Sequence, residues 1–219
     1  MGRKSNWGLY LSEEPVLETA RLVLRPPRVE DLPGWAAFSA DPETMRHLGG
    51  PQCESLAWRA MATMAGCWAL NGFGMFSVLE RSSRRWVGRV GPWRPHGWPG
   101  NEVGWGILRE FEGKGYAYEA ASACIDWSFE VLGWDHVIHC IPEQNLRSIA
   151  LAHRLGSKCQ HRVRLPPPAE TEVWAWGQTR EAWVARARAG DTVADTQWEP
   201  GEVSALATAS LPGGGSRDP

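Results

Sequence analysis

Gly113-Lys114-Gly115 stands where an extended segment ending near Leu108 gives way to a helical one opening at Tyr116. A helix begins with N–H groups that lack internal acceptors and with the positive end of its macrodipole, so a turn there binds anions, a pyrophosphate among them. Gly113 and Gly115 let such an anion approach the backbone closely. The spacing is not that of a P-loop, because Lys114 is followed by Gly115 where a hydroxyl residue would hold magnesium. By itself a Gly-x-Gly between strand and helix also serves as a plain connection. Metal chemistry finds no support: His136 and His139 sit three apart on an extended segment and so face opposite sides. The five cysteines are never closer than 14 positions, so no Cys-x-x-Cys pair exists and reduced core thiols are expected.

The elements that must position this turn follow from periodicity. Ala20 to Arg25 reads as a first strand, stopped by Pro26-Pro27. Asp31 is placed to cap a helix carrying Pro33, Trp35 and Phe38, and Glu54 to Leu70 forms a second helix with Leu56, Ala60, Met64 and Trp68 on its apolar face, ended by Asn71-Gly72. The period then changes to that of strands over Met75–Glu80, Arg85–Trp93 and Asn101–Leu108. A long helix runs from Gly115-Tyr116 to about Leu132, with a small-residue face of Ala117, Ala120, Ala121, Cys124 and Ser128 suited to close packing on a sheet. A strand at His136–Ile141, a helix at Asn145–Leu155 and strands near Lys158–Val163 and Glu172–Gln178 complete a β-α-α-β-β-β-α-β-α-β-β order, with a short helix possible at Arg180–Ala189.

Length and composition bound the class. A chain of 219 residues, 43% hydrophobic and 22% charged, is a globular α+β chain and not a disordered or collagenous one. No apolar run approaches the roughly 20 residues of a membrane span, and the first residues lack a secretory signal, so a cytoplasmic protein is expected. A net charge of −2 suggests no nucleic-acid footprint. Residues 1–189 are read as one domain. Residues 190–219, with five acids against Arg217 alone and a Gly213-Gly214-Gly215 stretch, are read as a flexible tail.

The stretch from Glu110 to Gly115 resembles motif A of the GNAT superfamily of acyl-CoA-dependent N-acetyltransferases, departing at its first position, where Glu110 replaces Gln or Arg. More of the chain is similar to the branch typified by the ribosomal-protein N-terminal acetyltransferases RimJ and RimL. The similarity is carried by Glu18-Thr19-Ala20-Arg21-Leu22-Val23-Leu24-Arg25-Pro26, Glu102-Val103-Gly104-Trp105, Gly113-Lys114-Gly115-Tyr116-Ala117-Tyr118-Glu119-Ala120, and Asn145-Leu146-Arg147-Ser148 ahead of Arg154-Leu155-Gly156. It spans roughly Leu17 to Trp183.

The resemblance implies a GNAT fold: a mixed, mostly antiparallel sheet with helices on both faces, splayed between its fourth and fifth strands to admit the pantetheine arm of acetyl-CoA. It implies a pyrophosphate on the amides of Glu112, Gly113, Lys114, Gly115, Tyr116 and Ala117, an acetyl carbonyl accepting from an amide near Leu108, and direct attack by an amine in a ternary complex, with no metal and no covalent enzyme intermediate. Many relatives place a tyrosine acid where this chain has Ala152, so Ser148 becomes the group at the cofactor sulfur and Asn145 the holder of the pantetheine amide. The same residues also read as a helix cap and a surface serine. For the base, relatives with a glutamate on the fourth strand carry it at the position of Gly104. Glu102, one same-face step away, would act through a bound water, or Glu170 or Glu172 would reach over from the last hairpin. Glu119 is read as structural. The expected acceptor is a primary amine, on a peptide or protein N-terminus or a small molecule, and homodimers are common in this branch. The alternative is a catalytically idle acyl-CoA-binding module, which Ala152 and the displaced Glu102 would suit.

Overall fold

The computed structural model describes residues 14–189; the expected tail at 190–219 lies outside them. One sheet has the spatial order β1-β2-β3-β4-β5-β6-β8-β7. Its strands are β1 Leu17–Glu18, β2 Leu22–Arg25, β3 Phe76–Glu80, β4 Trp86–Trp93, β5 Glu102–Ile107, β6 His136–Ile141, β7 Lys158–Arg164 and β8 Glu172–Thr179. The accompanying helices are α1 Leu32–Ala40, α2 Pro42–Met45, α3 Glu54–Asn71, α4 Tyr116–Glu130, α5 Leu146–Arg154 and α6 Arg180–Arg188. Among the described residues only β5 and β6 run parallel; the other neighbours are antiparallel. The expected order of elements is present. It is supplemented by β1, whose two residues carry no readable period, and by α2, a single turn opened by Asp41-Pro42 with the Asp41 carboxylate accepting from the Glu43 amide.

Strand alternation divides the core. One face of the sheet offers Leu22, Leu24, Phe76, Val78, Val87, Val103 and Ile107 to α4, whose Ala120, Ala121, Cys124 and Ser128 are fully buried. Small side chains on α4 bring its axis close to the strands, as its sequence predicts. The other face is covered by α1, where Trp35 and Phe38 join Met61 and Met64 of α3, Met75 and Trp86 in a second cluster. A third cluster packs Ile149 and Ala152 of α5 on Ile141, Trp174 and Trp176. Buried tryptophans thus occur in all three, which accounts for much of the high tryptophan content.

Two local expectations change. The buried stripe of α3 is Ala57, Met61, Met64 and Trp68, while Leu56 is 41% exposed. A run of steps of four drifts around a helix of 3.6 residues per turn, whereas mixed steps of three and four keep the stripe facing α1. Asp31 stands at the start of α1 but makes no side-chain cap. Both of its oxygens accept from the Arg25 guanidinium at 2.8 Å, and Oδ2 also accepts from the Arg28 amide at 2.9 Å. Arg25 points inward from β2 and is 8% exposed, and neutralising a buried guanidinium outweighs capping a helix.

Burial works to raise the Asp31 pKa, but hydrogen bonds from Arg25 and the Arg28 amide carry it below the ordinary carboxylate value. The stabilisation is therefore complete above that ordinary value and is lost as pH falls through the depressed native one. Asp31→Ala should destabilise the domain by about 3 kcal/mol at neutral pH in urea unfolding. The difference from wild type should shrink as the medium is acidified below pH ~4.

Candidate functional site

The sheet parts between β5 and β6. The Ile138 amide donates to the Asn101 carbonyl at 2.9 Å, and Glu102 and Ile138 form the only paired position. A continued parallel ladder would next join the Val103 carbonyl to the Cys140 amide. Both groups are taken by side chains instead. His139 Nδ1 lies 2.7 Å from the Val103 oxygen, and Glu102 Oε1 accepts from the Cys140 amide at 3.3 Å. The rung is thereby replaced by two side-chain hydrogen bonds, and the strands diverge beyond it.

Parity decides which backbone groups face the gap. The Asn101 carbonyl points toward β6, so the N–H and C=O groups of Val103, Trp105 and Ile107 do too, and past Val103 they have no strand partner. Leu108 has the opposite parity: its amide donates to the Val87 carbonyl at 2.8 Å. The expected donor near Leu108 is therefore not the Leu108 amide.

His139 is 1% exposed, and its Nε2 lies 3.0 Å from Ser157 Oγ. Burial lowers its pKa to about 4, against the contact with the Val103 carbonyl, so the ring is neutral at pH 7. As a donor to that carbonyl, Nδ1 carries the proton and Nε2 accepts from the serine hydroxyl. Trp105 packs on this imidazole with ring centroids 4.7 Å apart, and its indole N–H donates to Ser148 Oγ at 3.2 Å. The Ser148 amide is capped by Asn145 Oδ1 at 3.2 Å. Asn145 thus caps α5 through its oxygen and keeps its amide N–H groups, while the serine hydroxyl, accepting from Trp105, keeps its own proton to donate.

Glu102 belongs to the opposite face. Its Oε2 accepts from the Trp98 indole at 2.5 Å, and it is 7% exposed. Burial raises its pKa to about 7, against the Cys140 amide, the Trp98 indole and the charge of Arg89. A Cβ built on Gly104 would stand 3.4 Å from Glu102 Oε1 and 2.5 Å from Met75 Cε, so the carboxylate leans over the bare backbone of Gly104. Glu170 and Glu172 are exposed, and Glu172 lies 3.9 Å from Arg162.

At the mouth of the gap the chain turns through Gly113 and Gly115, with φ of 73° and 78°. These left-handed values favour glycine, and a Cβ at Gly115 would also stand 3.3 Å from Arg21 Nη2. The first helical bond of α4 runs from the Glu119 amide to the Gly115 carbonyl. The amides of Gly113, Lys114, Gly115, Tyr116, Ala117 and Tyr118 therefore have no protein acceptor among the described residues, whereas the Glu112 amide donates to the Arg109 carbonyl at 3.2 Å. The Lys114 ammonium lies over Phe111, and its carbonyl accepts from Arg21. Glu119 accepts from Thr19 Oγ1, the Arg21 amide and Arg21 Nε, tying the β1–β2 turn to α4. Arg147 of α5 meets the Glu112 carboxylate at 2.6 Å. A cavity of about 710 Å³ opens beside the turn, bordered by Arg21, Gly113, Lys114, Gly115, Tyr118 and Arg154.

Glu102 and Ser148 thus stand on opposite faces of the sheet at the gap, with the turn at its mouth. Sequence reasoning missed Trp98, Trp105 and Arg89, and set His139 aside after weighing it as a metal ligand. Arg89 carried a readable signal, as a charged residue within the otherwise apolar Val87-Gly88-Arg89-Val90.

A family model described as an acetyltransferase (GNAT) domain matches residues 21–158. The uncharacterized N-acetyltransferase p20 of Bacillus licheniformis is 28% identical over 143 residues, 64% of this chain and 80% of that protein. The crystal structure of an acetyltransferase from Agrobacterium tumefaciens superposes with a TM-score of 0.67 at 31% identity, over 82% of this chain and 100% of that one. Mycobacterium smegmatis RimJ, solved in complex with CoA-disulfide, shares the fold with a TM-score of 0.60 at 18% identity, over 77% of this chain and 89% of that one.

The bond from His139 to Val103 is open to test. His139→Leu keeps bulk but leaves a buried carbonyl without its donor, and should cost about 1–3 kcal/mol in urea unfolding. His139→Asn offers an N–H to the carbonyl and an oxygen to Ser157, and should recover most of that loss. Equal losses would mean that packing alone matters. Below the ordinary imidazole value the unfolded chain takes up a proton that native His139 refuses until about pH 4. Wild type should therefore lose stability across that window relative to His139→Asn.

Proposed function

The chain belongs to the GNAT acetyltransferases, and we propose that it transfers acetyl from acetyl-CoA to a primary amine by direct attack in a ternary complex. The observation that carries this reading is the gap between β5 and β6, open along the Trp105–Ile107 edge and bounded at its mouth by unpaired amides. The residues fit the cosubstrate. Amides from Gly113 to Tyr118, at the N-terminus of a 15-residue helix, suit a pyrophosphate. The unpaired edge of β5 suits the amide groups of a pantetheine arm, and the Asn145 side chain offers N–H groups to the same arm. Glu112 contributes through its position in the turn and its pairing with Arg147 rather than through its amide.

Acetyl-CoA supplies a thioester whose carbonyl carbon accepts the amine. The chain's own groups do the rest. With the Leu108 amide engaged by Val87, the Ile107 amide is the donor that orients and polarises the acyl carbonyl. Glu102 takes the proton that an ammonium must lose, and its pKa of about 7 makes it both sufficiently ionised and sufficiently basic near neutrality. Ser148, across the gap, hands a proton to the departing sulfur and regains one from solvent. The new C–N bond forms as the C–S bond breaks; the first ammonium proton ends on Glu102, the second proton, shed by the nitrogen once it is bonded to the acyl carbon, passes to the solvent that refills Ser148, and the sulfur leaves as a thiol. Bringing both reactants into one cleft accounts for much of the acceleration without a covalent intermediate. Buried Ala152 supplies no acid, which favours Ser148 in that role and also suits the second reading, an acyl-CoA-binding module without turnover.

Thiol release from acetyl-CoA in the presence of a panel of amines and peptides decides between them. The transferase should show acceptor-dependent release with kcat/KM rising with pH and levelling above about 7. Glu102→Gln should lower kcat/KM about a hundredfold and remove that rise, and Ser148→Ala should lower kcat about a hundredfold with little change in KM. CoA binding without acceptor-dependent thiol would favour the module, and no CoA binding would discard both readings.

A further inference from the structure

The face of the sheet under α1 carries one row of positions across four strands: Arg25, Ser77, Arg89 and Gly106. Its two arginines have different surroundings. Arg25 is clamped by both oxygens of Asp31. Arg89, two strands on, has no carboxylate within ion-pair distance among the described residues. Its Nη1 lies 2.9 Å from Met75 Sδ, and its guanidinium sits 5.7 Å from the Trp35 ring and 5.5 Å from that of Phe38. A thioether is a weak acceptor, so most of the fork's donors meet no protein oxygen among the described residues. A half-buried guanidinium against aromatic rings and sulfur is costly unless an anion joins it, and burial lowers its pKa to about 10 despite the attraction of Glu102.

Met75 also relates Arg89 to the proposed base. Its sulfur touches Arg89, while its methyl lies 2.5 Å from the Cβ that Gly104 lacks, a point 3.4 Å from Glu102 Oε1. Arg89 and Glu102 therefore flank one methionine tip on one face of the sheet. When Glu102 gains a proton its charge no longer offsets that of Arg89, and the pair is left cationic.

Resting on the transferase reading above, we propose that the acceptor is an amine carrying a carboxylate a few bonds from its amino group, the carboxylate received by Arg89 and the amino group presented to Glu102. A guanidinium fork matches a carboxylate in shape and charge. Free amino acids have this chemistry. Polyamines and plain alkylamines lack it, and a polyamine would meet Arg89 as a like charge.

The test compares amino acids with their own carboxamides as acceptors, following thiol release from acetyl-CoA, with CoA binding measured by calorimetry on the same protein. Wild type should favour the acids by about tenfold or more in kcat/KM. Arg89→Met should bring that ratio near unity, mainly by raising KM for the acids, and Arg89→Lys should keep part of it. A ratio near unity in wild type, or one that survives Arg89→Met, overturns the inference while the transferase reading stands. Should Arg89→Met fail to fold, the wild-type ratio and Arg89→Lys decide the matter. Absence of turnover for every amine in wild type, whether or not CoA binds, overturns the transferase reading, and this inference with it.

Discussion

Where the Val103 carbonyl would meet the Cys140 amide, an imidazole and a carboxylate stand in their place. A sheet gains by completing every rung, and buried backbone groups left unpaired cost about 1–3 kcal/mol each. Strands therefore stay apart only if something else satisfies the groups at the fork. His139 does so on the α4 side and Glu102 on the α1 side. The same two bonds that open the sheet fix its chemistry. Glu102 is held buried, with a raised pKa, and His139 is held neutral beneath Trp105, whose indole reaches Ser148.

The glycines of β4 and β5 make the second half of the arrangement. On the α1 side the middle of these strands is nearly bare: Gly91 pairs with Gly104, and Arg89 with Gly106. Phe38 uses the space at Gly106, where a Cβ would stand 2.6 Å from its ring, and Met75 uses the space at Gly104. Helix α1 can thus sit low on the sheet while Glu102 and Arg89 keep their room. Arg25, in the same row, is matched by Asp31, whereas Arg89 has no carboxylate within ion-pair distance among the described residues.

Much of this was legible from local chemistry. The glycines at 113 and 115 declared a turn into a helix, and the turn is there with both residues in the left-handed region. The small-residue face of α4, the cap from Asn145 and the stop at Gly72 rest on neighbours a few residues apart, so a short window contains their cause. Asp31 is the counterexample. Its cap position was clear, but an inward guanidinium from β2 competed for the carboxylate and prevailed. The α3 stripe slipped from Leu56 to Ala57 because the facing helix, not the sequence of α3, chooses among near-equivalent stripes. At Leu108 and Glu112 the amides went to Val87 and Arg109, pairings set by strand parity and by one short turn.

The candidacy of Glu102 and Ser148 came from the resemblance to a known family; the order of elements, the change from helical to strand period at Gly74 and the glycine turn into α4 were determined by the sequence itself. Each depends on residue type and on spacings shorter than one element, and such spacings survive whatever the rest of the chain does. Tertiary structure alone decided that Glu102 and Ser148 lie on opposite faces of one gap, that His139 closes the fork, and that Arg89 meets no carboxylate among the described residues. Those outcomes join residues 25, 75, 89, 102, 139 and 148, which are far apart in the chain. They come from competition between distant partners for the same hydrogen bonds and charges, which is settled only when the strands have chosen their neighbours.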